Sequence, residues 1–190
     1  MINLIAAITY YPKEDQFIIA ANGDLPHSSP EDMRRFKKLT AGGTVIMGRK
    51  TYDTLGQALP DRTNIVLSRD PMFRLSNAFV ARSLEEALEC PAKYGYSSDI
   101  WIIGGGQLYE EALEKDIPDR LYISEMRGHW ESDNVGSQIN SSPMLLVIPG
   151  ESDEVVTFPR INWEYYKALY IEQFEDHNLK ILSKTSLDVL

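Results

Sequence analysis

Short apolar segments alternate with helical segments from Asn3 to Ser124, and this alternation constrains the fold more than any other feature. The predicted strands, rich in Ile and Val, are Asn3–Ile8, Thr44–Met47, Asn64–Ser68, Asp99–Ile103 and Arg120–Ser124. The predicted helices are Pro30–Leu39, Lys50–Gly56, Ser83–Glu89 and Gln107–Glu114. Strands that are apolar at successive positions are typical of sheets covered on both faces. The alternation therefore predicts an α/β fold around a mostly parallel sheet.

Beyond the fifth predicted strand the pattern changes. Tyr170–Phe174 and Leu179–Lys184 flank the polar segment Glu175–Asn178 and predict an antiparallel hairpin, so the sheet is expected to be mixed. Gly128–Glu154 is rich in Ser, Asn, Gly and acidic residues and is interpreted as a long loop or insertion between strands. Loops of that length tend to be functional or mobile. The whole chain, residues 1–190, has the length of one ordinary domain.

The composition argues against several classes of protein. The formal net charge of -9 argues against a general nucleic-acid binder, because phosphate neutralisation needs a basic surface. The N-terminal segment lacks the pattern of a signal peptide, and no apolar run approaches the about 20 residues that a membrane span needs. The single cysteine, Cys90, cannot form an intrachain disulfide and is interpreted as a buried thiol. These features predict a cytoplasmic protein in a reducing compartment.

Three predicted strands end in residues that suit phosphate groups. Gly104–Gly106 stands between a strand and a helix, where backbone N–H groups and the helix N-terminus favour an anion. A second strand runs into Gly48–Thr51, whose two cations oppose the dipole of the next helix unless a phosphate offsets them. A third ends in Ser68–Arg69, which suits a 2′-phosphate, so the predicted nucleotide is NADPH. The alternatives are a tight turn without a ligand at the glycines and solvated surface cations at Arg49 and Lys50.

Asp32 combines two features of the helix that begins at Pro30. With Ser29 as N-cap and Pro30 at the first position, Asp32 reads as a capping-box carboxylate, and that structural role is the alternative to a binding role. Asp32 also shares a helical face with Phe36 and Leu39. An unpaired carboxylate in apolar surroundings is costly, so the pattern suits a cationic or amidine-like heterocycle that forms two hydrogen bonds with it.

An ordered set of segments resembles the dihydrofolate reductase family. The segments are LIAA at 4–7, NGDLP at 22–26, DMRRFK at 32–37, VIMGRKTY at 45–52, LPDRTNIVLSR at 59–69 and IGGGQLY at 103–109. Each is of modest specificity alone, whereas the ordered set is highly specific. The resemblance covers about residues 1–125, Thr157–Tyr166 and the predicted hairpin. It implies a three-layer α/β/α fold with a mixed, mostly parallel central sheet that ends in an antiparallel C-terminal hairpin.

The resemblance implies NADPH-dependent reduction of 7,8-dihydrofolate to 5,6,7,8-tetrahydrofolate, which supplies one-carbon and thymidylate metabolism. Hydride would pass from nicotinamide C4 to pterin C6, and a proton would be added at N5. Asp32 matches the acidic residue that holds the pterin and promotes this protonation, and Ser124 matches the hydroxyl residue that bonds it. Arg62, backed by Lys37, is implied to hold the α-carboxylate of the glutamate tail. For Arg62 the alternative is a surface arginine after a turn.

The remaining residues implied at the substrate line the ring site or present backbone carbonyls: Ile5, Ala7, Met33, Phe36, Leu55, Gln57 and Ile103. Antifolate inhibitors are implied as ligands of the same site. The resemblance implies no metal, nucleic acid or membrane, and it leaves open whether the protein is a monomer or a homodimer.

The resemblance also assigns residues to NADPH. Those implied at the 2′-phosphate and adenosine are Arg49, Ser68, Arg69 and Arg82, and those at the diphosphate are Lys50, Thr51, Gly105, Gly106 and Gln107. Tyr109 and Leu25 are implied beside the nicotinamide and join Asp32 and Ser124 as catalytic residues. Further cofactor contacts are implied at Ala7, Ile19, Gly23, Asp24, Gly48, Leu67, Ile103, Gly104 and Leu108. The family has a cis peptide bond at this glycine pair, so Gly104–Gly105 is expected to be cis.

Several positions depart from the family pattern. Ile19–Leu25 resembles a mobile loop that closes over the nicotinamide, but Ala20 replaces a usual glycine. Gln107 replaces a common arginine, and Asp133 is a candidate for the acidic loop residue that steadies the closed loop. His27 replaces a nearly invariant tryptophan. Either it only replaces the packing, or it titrates near Asp32 and alters the pH dependence of the reaction, in which case His27→Trp should change the pH–rate profile.

Two alternatives stay open on the sequence. A reductase of the same fold that acts on a ribosylated pyrimidine in riboflavin synthesis would keep the phosphate turns, but it should lack the pair formed by Asp32 and Arg62. A non-catalytic protein that kept the fold is the second alternative, suggested by His27 and the long excursion. Dihydrofolate-dependent oxidation of NADPH separates both from the main prediction.

Overall fold

The computed structural model describes residues 1–11, 14–21, 29–127, 155–162 and 164–185. The helices among these residues are α1 (Pro30–Thr40), α2 (Arg49–Leu55), α3 (Leu84–Tyr94) and α4 (Gly106–Glu114). The strands that precede α4 are β1 (Ile2–Tyr11), β2 (Gln16–Ala21), β3 (Thr44–Gly48), β4 (Thr63–Leu67), β5 (Phe79–Ala81) and β6 (Ile100–Ile102). The strands that follow it are β7 (Arg120–Met126), β8 (Val155–Thr157), β9 (Tyr166–Gln173) and β10 (His177–Lys184).

One mixed sheet runs through the described residues in the order β5-β4-β3-β6-β1-β7-β10-β9. The strands from β5 to β7 are parallel to their neighbours, whereas β10 is antiparallel to both β7 and β9. Two short strands lie off this path, since β2 pairs with the end of β1 and β8 pairs with β2. The predicted parallel sheet and its antiparallel hairpin are therefore confirmed.

The core is divided between the two faces of the sheet, because neighbouring side chains of a strand point in opposite directions. Fully or nearly fully buried residues on one face pack with α3 and α4: Leu4, Ile46, Ile65, Ile102 and Ile123. Residues of the other face pack with Tyr52 of α2 and Leu39 of α1: Val45, Met47, Val66, Trp101 and Tyr122. Helices cover both faces, which confirms the predicted three layers.

Helix α3 is longer than its sequence pattern indicates. The predicted helix ended at Glu89, but α3 continues through Pro91 to Tyr94. A proline inside a helix removes one hydrogen bond, yet Ala87, Cys90 and Pro91 are buried and this packing carries the helix past the proline. Cys90 is buried as predicted.

Strand β2 corrects a second prediction. Ile19–Leu25 was assigned to a mobile loop, but its first part, Ile19–Ala21, belongs to a strand that pairs with β1 and β8. Ile18, Ile19 and Ala21 are buried, and this burial explains the strand. The short strands β5 and β8 were also absent from the sequence prediction.

Other predictions fall on residues that are not described. The excursion 128–154 lies outside the described residues, so the interpretation of 1–190 as a single domain stays a prediction. Among the described residues, no helix is both long and apolar enough to cross a membrane.

Candidate active site

Many of the predicted site residues lie at the carboxyl ends of the parallel strands, whereas Arg62 directly precedes β4 at its other end. Strands β4, β3 and β6 are neighbours, so the turns that follow them lie side by side at one edge of the sheet. The next strands, β1 and β7, place Ala7 opposite Ser124. This edge is where open α/β sheets bind ligands.

Asp32 and Ser124, 92 positions apart in the chain, meet at this edge. Ser29 caps α1 and its Oγ accepts a hydrogen bond from the Asp32 backbone N–H at 3.2 Å, so the predicted helix start is confirmed. The Asp32 side chain does not make this cap. Instead its Oδ1 accepts a 2.5 Å hydrogen bond from the buried Ser124 hydroxyl. The predicted contact is therefore present, and within the described residues Oδ2 of Asp32 accepts no further hydrogen bond.

Arg35 and His177 adjoin Asp32 and were not among the predicted site residues. Arg35 Nη1 lies 3.5 Å from Asp32 Oδ1 and 2.9 Å from His177 Nε2. Spacing of three along α1 gave a signal for the first contact, because residues i and i+3 are neighbours on a helix. The second joins positions 142 apart, and no local pattern indicates it.

Arg62 lies at the start of β4, beside the end of α1. Its Nε donates to the Pro60 carbonyl at 2.7 Å and its Nη1 donates to Thr40 Oγ1 at 2.8 Å. The guanidinium carbon is 5.9 Å from the centre of the Phe36 ring. Partial burial lowers the pKa of Arg62, and the neighbouring Asp61 carboxylate opposes that shift. Arg62 is thus held beside the predicted ring site, whereas Lys37 is exposed.

The residues predicted to line the ring site differ in exposure. Ile5, Ala7, Phe36 and Ile103 are partly buried, and Met33, Leu55 and Gln57 are exposed. Apolar side chains such as Met33 and Leu55 that remain 40% and 41% exposed suit the rim of an open cleft.

Two glycine turns touch at the ends of β3 and β6. The Gly48 N–H donates to the Gly104 carbonyl at 2.7 Å, and the predicted cis bond between Gly104 and Gly105 is present. Gly104 has a φ of +105°, and a Cβ there would meet the Tyr109 ring at 3.0 Å. A Cβ on Gly105 would lie 3.3 Å from Thr51 Oγ1. The turns before α2 and α4 therefore face each other at close range.

Tyr109 connects this glycine turn to the ring site. Its buried hydroxyl donates a 2.7 Å hydrogen bond to the Ile5 carbonyl, one of the two carbonyls predicted to face the pterin. Burial raises the pKa of Tyr109, so the hydroxyl stays protonated and continues to donate at neutral pH. A carbonyl oxygen has two lone pairs, so Ile5 retains capacity for a second donor.

The cations predicted at the adenosine end already have protein partners. Arg49 forms ion pairs with Asp53 at 3.6 Å and Asp70 at 3.4 Å, and it stacks over the Phe73 ring at 4.4 Å. Exposed pairs of this kind are worth little, so they do not prevent the guanidinium from turning to a phosphate. Arg69 is exposed, and Ser68 is buried.

Arg82 has a role that the sequence did not indicate. Its Nη1 donates to the carbonyls of Ser68 at 2.9 Å and Asp70 at 2.6 Å, and its Nη2 lies 3.4 Å from those of Pro71 and Phe73. Arg82 thereby holds the loop that follows β4, whereas a contact with adenosine stays a prediction.

Of the other predicted cofactor residues, some lie among the described residues and some do not. Ile19 is buried, with its Cδ1 3.9 Å from where a Cβ on Gly106 would lie, and Leu108 is buried on α4. Leu67 ends β4, and Gln107 is exposed on the first turn of α4. Gly23, Asp24, Leu25, His27 and Asp133 lie outside the described residues.

Comparisons with known proteins agree on one family. The family model described as dihydrofolate reductase matches residues 1–144. Dihydrofolate reductase type 3 of Salmonella typhimurium is 38% identical over 133 residues, which are 70% of this chain and 76% of that protein. The dihydrofolate reductase of Mycobacterium tuberculosis is 46% identical over 99 residues, which are 50% of this chain and 57% of that protein.

A solved structure matches nearly the whole length of this chain. Dihydrofolate reductase from Enterococcus faecalis, complexed with NADP(H) and RAB-propyl, matches with a TM-score of 0.72 and 24% identity. The match covers 98% of this chain and 97% of that one, and it confirms the fold. The family model and the Salmonella typhimurium relative go further than the fold, and on their evidence this chain belongs to the dihydrofolate reductase family.

Proposed function

We propose that this protein is a dihydrofolate reductase that reduces 7,8-dihydrofolate to 5,6,7,8-tetrahydrofolate with NADPH and so supplies one-carbon and thymidylate metabolism. The Asp32–Ser124 pair carries the proposal. It sets a carboxylate at the edge of the sheet where the strands end, next to partly buried apolar residues.

The geometry of Asp32 suits a pterin ring. Ser124 donates its hydrogen bond to Oδ1 of Asp32, so Oδ2 is left for a donor of the substrate. An amidine-like ring edge such as the pterin 2-amino group and N3 offers two N–H donors in one plane, which a carboxylate binds strongly. The negative charge of Asp32 then stabilises the ring when N5 takes up a proton, so Asp32 acts on the step that accompanies reduction.

The carbonyls of Ile5, within β1, and Ile103, directly after β6, would bind the same ring. Tyr109 fixes the Ile5 carbonyl through its hydroxyl, and the chain at Ile103 is held by its N–H bond to the Ile46 carbonyl at 3.0 Å. Fixed acceptors orient the ring without a cost of reorganisation during the reaction.

Arg62 selects a substrate with a carboxylate tail. Its guanidinium is held beside the Phe36 ring by Pro60 and Thr40, and a guanidinium fork binds a carboxylate with two parallel hydrogen bonds. Phe36 thus lies about one turn after Asp32 on α1 and near Arg62, where the aromatic bridge of a folate would pack.

The two glycine turns fit a dinucleotide. Gly48 and Gly105 keep side chains out of the space where the turns meet, so main-chain N–H groups at the start of α4 remain accessible to a phosphate. When bound, NADPH supplies the hydride for the reduction. The diphosphate would be held by Lys50, Thr51, Gly105, Gly106 and Gln107, and the 2′-phosphate by Arg49, Ser68 and Arg69. The Enterococcus faecalis neighbour, which is complexed with NADP(H), supports this choice of cofactor.

Further parts of the proposal follow from the family. Antifolate inhibitors with a diaminopyrimidine-like edge compete for the Asp32 carboxylate, because they present the same pair of donors. The proposed location is the cytoplasm, since a single cysteine leaves the chain without an intrachain disulfide.

The test is oxidation of NADPH followed by the absorbance of the reduced nicotinamide, with and without dihydrofolate. Dihydrofolate-dependent oxidation is expected from the parent protein. Asp32→Asn should lower the rate strongly at neutral pH, because the amide keeps the shape of the side chain but not its charge.

Circular dichroism and thermal unfolding of Asp32→Asn serve as the control, since Ser29 and not the Asp32 side chain caps α1. A folded variant with the parent rate would leave Asp32 without a role in the reaction. Loss of NADPH that does not depend on dihydrofolate, or that follows a ribosylated pyrimidine instead, would overturn the proposed substrate.

A further inference from the structure

Arg35 lies between the Asp32 carboxylate and a buried histidine of β10. Its Nη1 is 3.5 Å from Asp32 Oδ1 and 2.9 Å from His177 Nε2. The side chains of Arg35 and Asp32 are 15% and 19% exposed, and His177 is fully buried. Charges that are mostly shielded from water act on each other more strongly than exposed ones. The position of the Arg35 guanidinium therefore affects how strongly the negative charge of Asp32 acts on its surroundings.

The partners of His177 fix its tautomer. Arginine has only donors, so Nε2 of His177 accepts from Arg35 and carries no proton. Nδ1 lies 2.6 Å from Oδ1 of Asp176, a carboxylate that only accepts, so Nδ1 carries the proton. His177 is thus the neutral Nδ1–H form, with an acceptor aimed at Arg35.

The Phe174 ring contacts both His177 and Arg35. The Phe174 ring stacks on His177 with centroids 4.6 Å apart and an interplanar angle of 6°. The guanidinium carbon of Arg35 lies 4.4 Å from the centre of the Phe174 ring, within the range of a cation–π contact. Arg35 is therefore held both by a hydrogen-bond acceptor and by a ring of the β9–β10 hairpin.

Asp176 orients His177 as a carboxylate. Burial by itself would raise the pKa of Asp176, but hydrogen bonding from Ser29 and His177 outweighs burial and lowers the pKa. Asp176 is therefore a stable anion that lies 2.6 Å from Nδ1 of His177.

We propose that His177 and Asp176 are positioning residues: they hold the Arg35 guanidinium beside Asp32, and Arg35 sets the pH range over which the bound pterin takes up its proton. The inference rests on the proposed function. A cation near Asp32 opposes the arrival of a further positive charge on the ring. Removal of that cation should therefore let the complex take up the proton at higher pH.

Other charged and titratable groups lie around these contacts and stay unchanged in the variants. Those that act on Arg35 or His177 from α1 and β9 are Glu31, with its partner Arg34, and Tyr170, with its partner Glu172. On the neighbouring strands, Glu125 of β7 and Lys180 of β10 form an ion pair with each other.

The experiment measures the pH profile of dihydrofolate reduction in the parent and three variants. Arg35→Met removes the cation and should move the alkaline fall of the rate upward by about one pH unit, as expected for loss of a charge at this distance. His177→Phe removes the acceptor and should shift the profile in the same direction. His177→Gln is the matched control, because its Oε1 can accept from Arg35, and its profile should stay near that of the parent.

If His177 had only a structural role, its variants would be less stable but would keep the pH profile of the parent. Thermal unfolding is therefore measured on every variant. If the parent is active and Arg35→Met has the parent's profile, the positioning role is overturned while the proposed function stands. A parent without dihydrofolate-dependent oxidation overturns the proposed function instead.

Nitrogen-15 NMR of the parent imidazole tests the arrangement without any reference to activity. At neutral pH, Nδ1 of His177 should be protonated and Nε2 should not. A protonated Nε2 would contradict the contact with Arg35 and overturn the inference, whether or not the variants fold.

Discussion

Ser124 donates its hydroxyl to the carboxylate on which the proposed reaction depends. We expect Ser124→Ala to lower kcat/KM for dihydrofolate by ~10- to 100-fold, because a hydrogen bond to a charged group contributes about 1.5–3 kcal/mol. Steady-state kinetics at saturating NADPH measure the change.

The matched control for this residue is Ser124→Thr, which keeps the hydroxyl and should retain most of kcat/KM. An unchanged kcat/KM in Ser124→Ala would mean that the 2.5 Å contact does not orient Asp32 for substrate.

At the residue scale, the predictable part of the site was the part that matches a family motif. The Asp32–Ser124 contact was predicted although 92 positions separate the two residues. The contacts of Arg35 with His177 and of Arg82 with four carbonyls were not predicted. They join residues that neither a helix or strand periodicity nor a sequence motif relates. Such contacts depend on which strands are neighbours, and that information is absent from local sequence.

The turn between β6 and α4 is packed tightly on one side and loosely on the other. A Cβ on Gly106 would lie 2.8 Å from Val156 Cγ1 and 3.0 Å from the Thr157 carbonyl oxygen, both in β8. We expect Gly106→Ala to displace β8 and lower the free energy of unfolding by about 1–3 kcal/mol, as overpacking usually does. Urea denaturation measures this loss.

Gly48→Ala, in the facing turn between β3 and α2, is the control. A Cβ there would come no closer than 3.8 Å to Gly104 and Gly105, which is ordinary contact, so stability should change little. Its methyl group would stand where the turns meet and should weaken NADPH binding, measured by titration of cofactor fluorescence. Equal losses of stability in the two variants would contradict this account.

At the element scale, apolar patterns predicted the long elements and missed those that packing creates. Pro91 marks a helix end in local sequence, but it is buried with Ala87 and Cys90 on one face of α3, and the helix continues to Tyr94. Residues Phe17, Ile18 and Ile19 of β2 are a strand-like apolar run, but the resemblance to a mobile loop assigned Ile19–Leu25 to that loop instead. The strand pairs with β1 on one side and β8 on the other. Propensity is a weak signal wherever tertiary contacts decide the conformation.

The acid stability of the whole molecule should reflect Asp176. Its pKa is lowered in the folded state below the ordinary value of 3.8, so its contribution to stability is complete above that pH. The contribution is lost as the pH falls through the lowered pKa, because the folded protein must then take up a proton that the unfolded chain already holds.

Asp176→Asn should therefore be less stable than the parent near neutral pH, and the difference should shrink as the pH falls below 3.8. Urea denaturation over a series of pH values gives the two curves. A difference that stays constant through the acid range would show that Asp176 does not titrate with folding.

At the scale of the whole molecule, the fold followed from two patterns. Apolar strands that alternate with helices predicted the parallel sheet, and the polar segment Glu175–Asn178 between two strand-like runs predicted the hairpin. The order of strands could not be read in this way, since β6 lies between β3 and β1 although it follows both in the chain.

The contact between Arg35 and His177 has a consequence for synthesis on the ribosome. Helix α1 emerges early, but the histidine that holds Arg35 is the first residue of β10, the last strand of the described sheet. Among the described residues, Arg35 has Asp32 on its own helix and His177 of β10 as acceptors, so it gains the second only when β10 adds to β7. A nascent chain can form its parallel strands in order, but it cannot bring its substrate pocket to the final electrostatic state until translation has passed the hairpin.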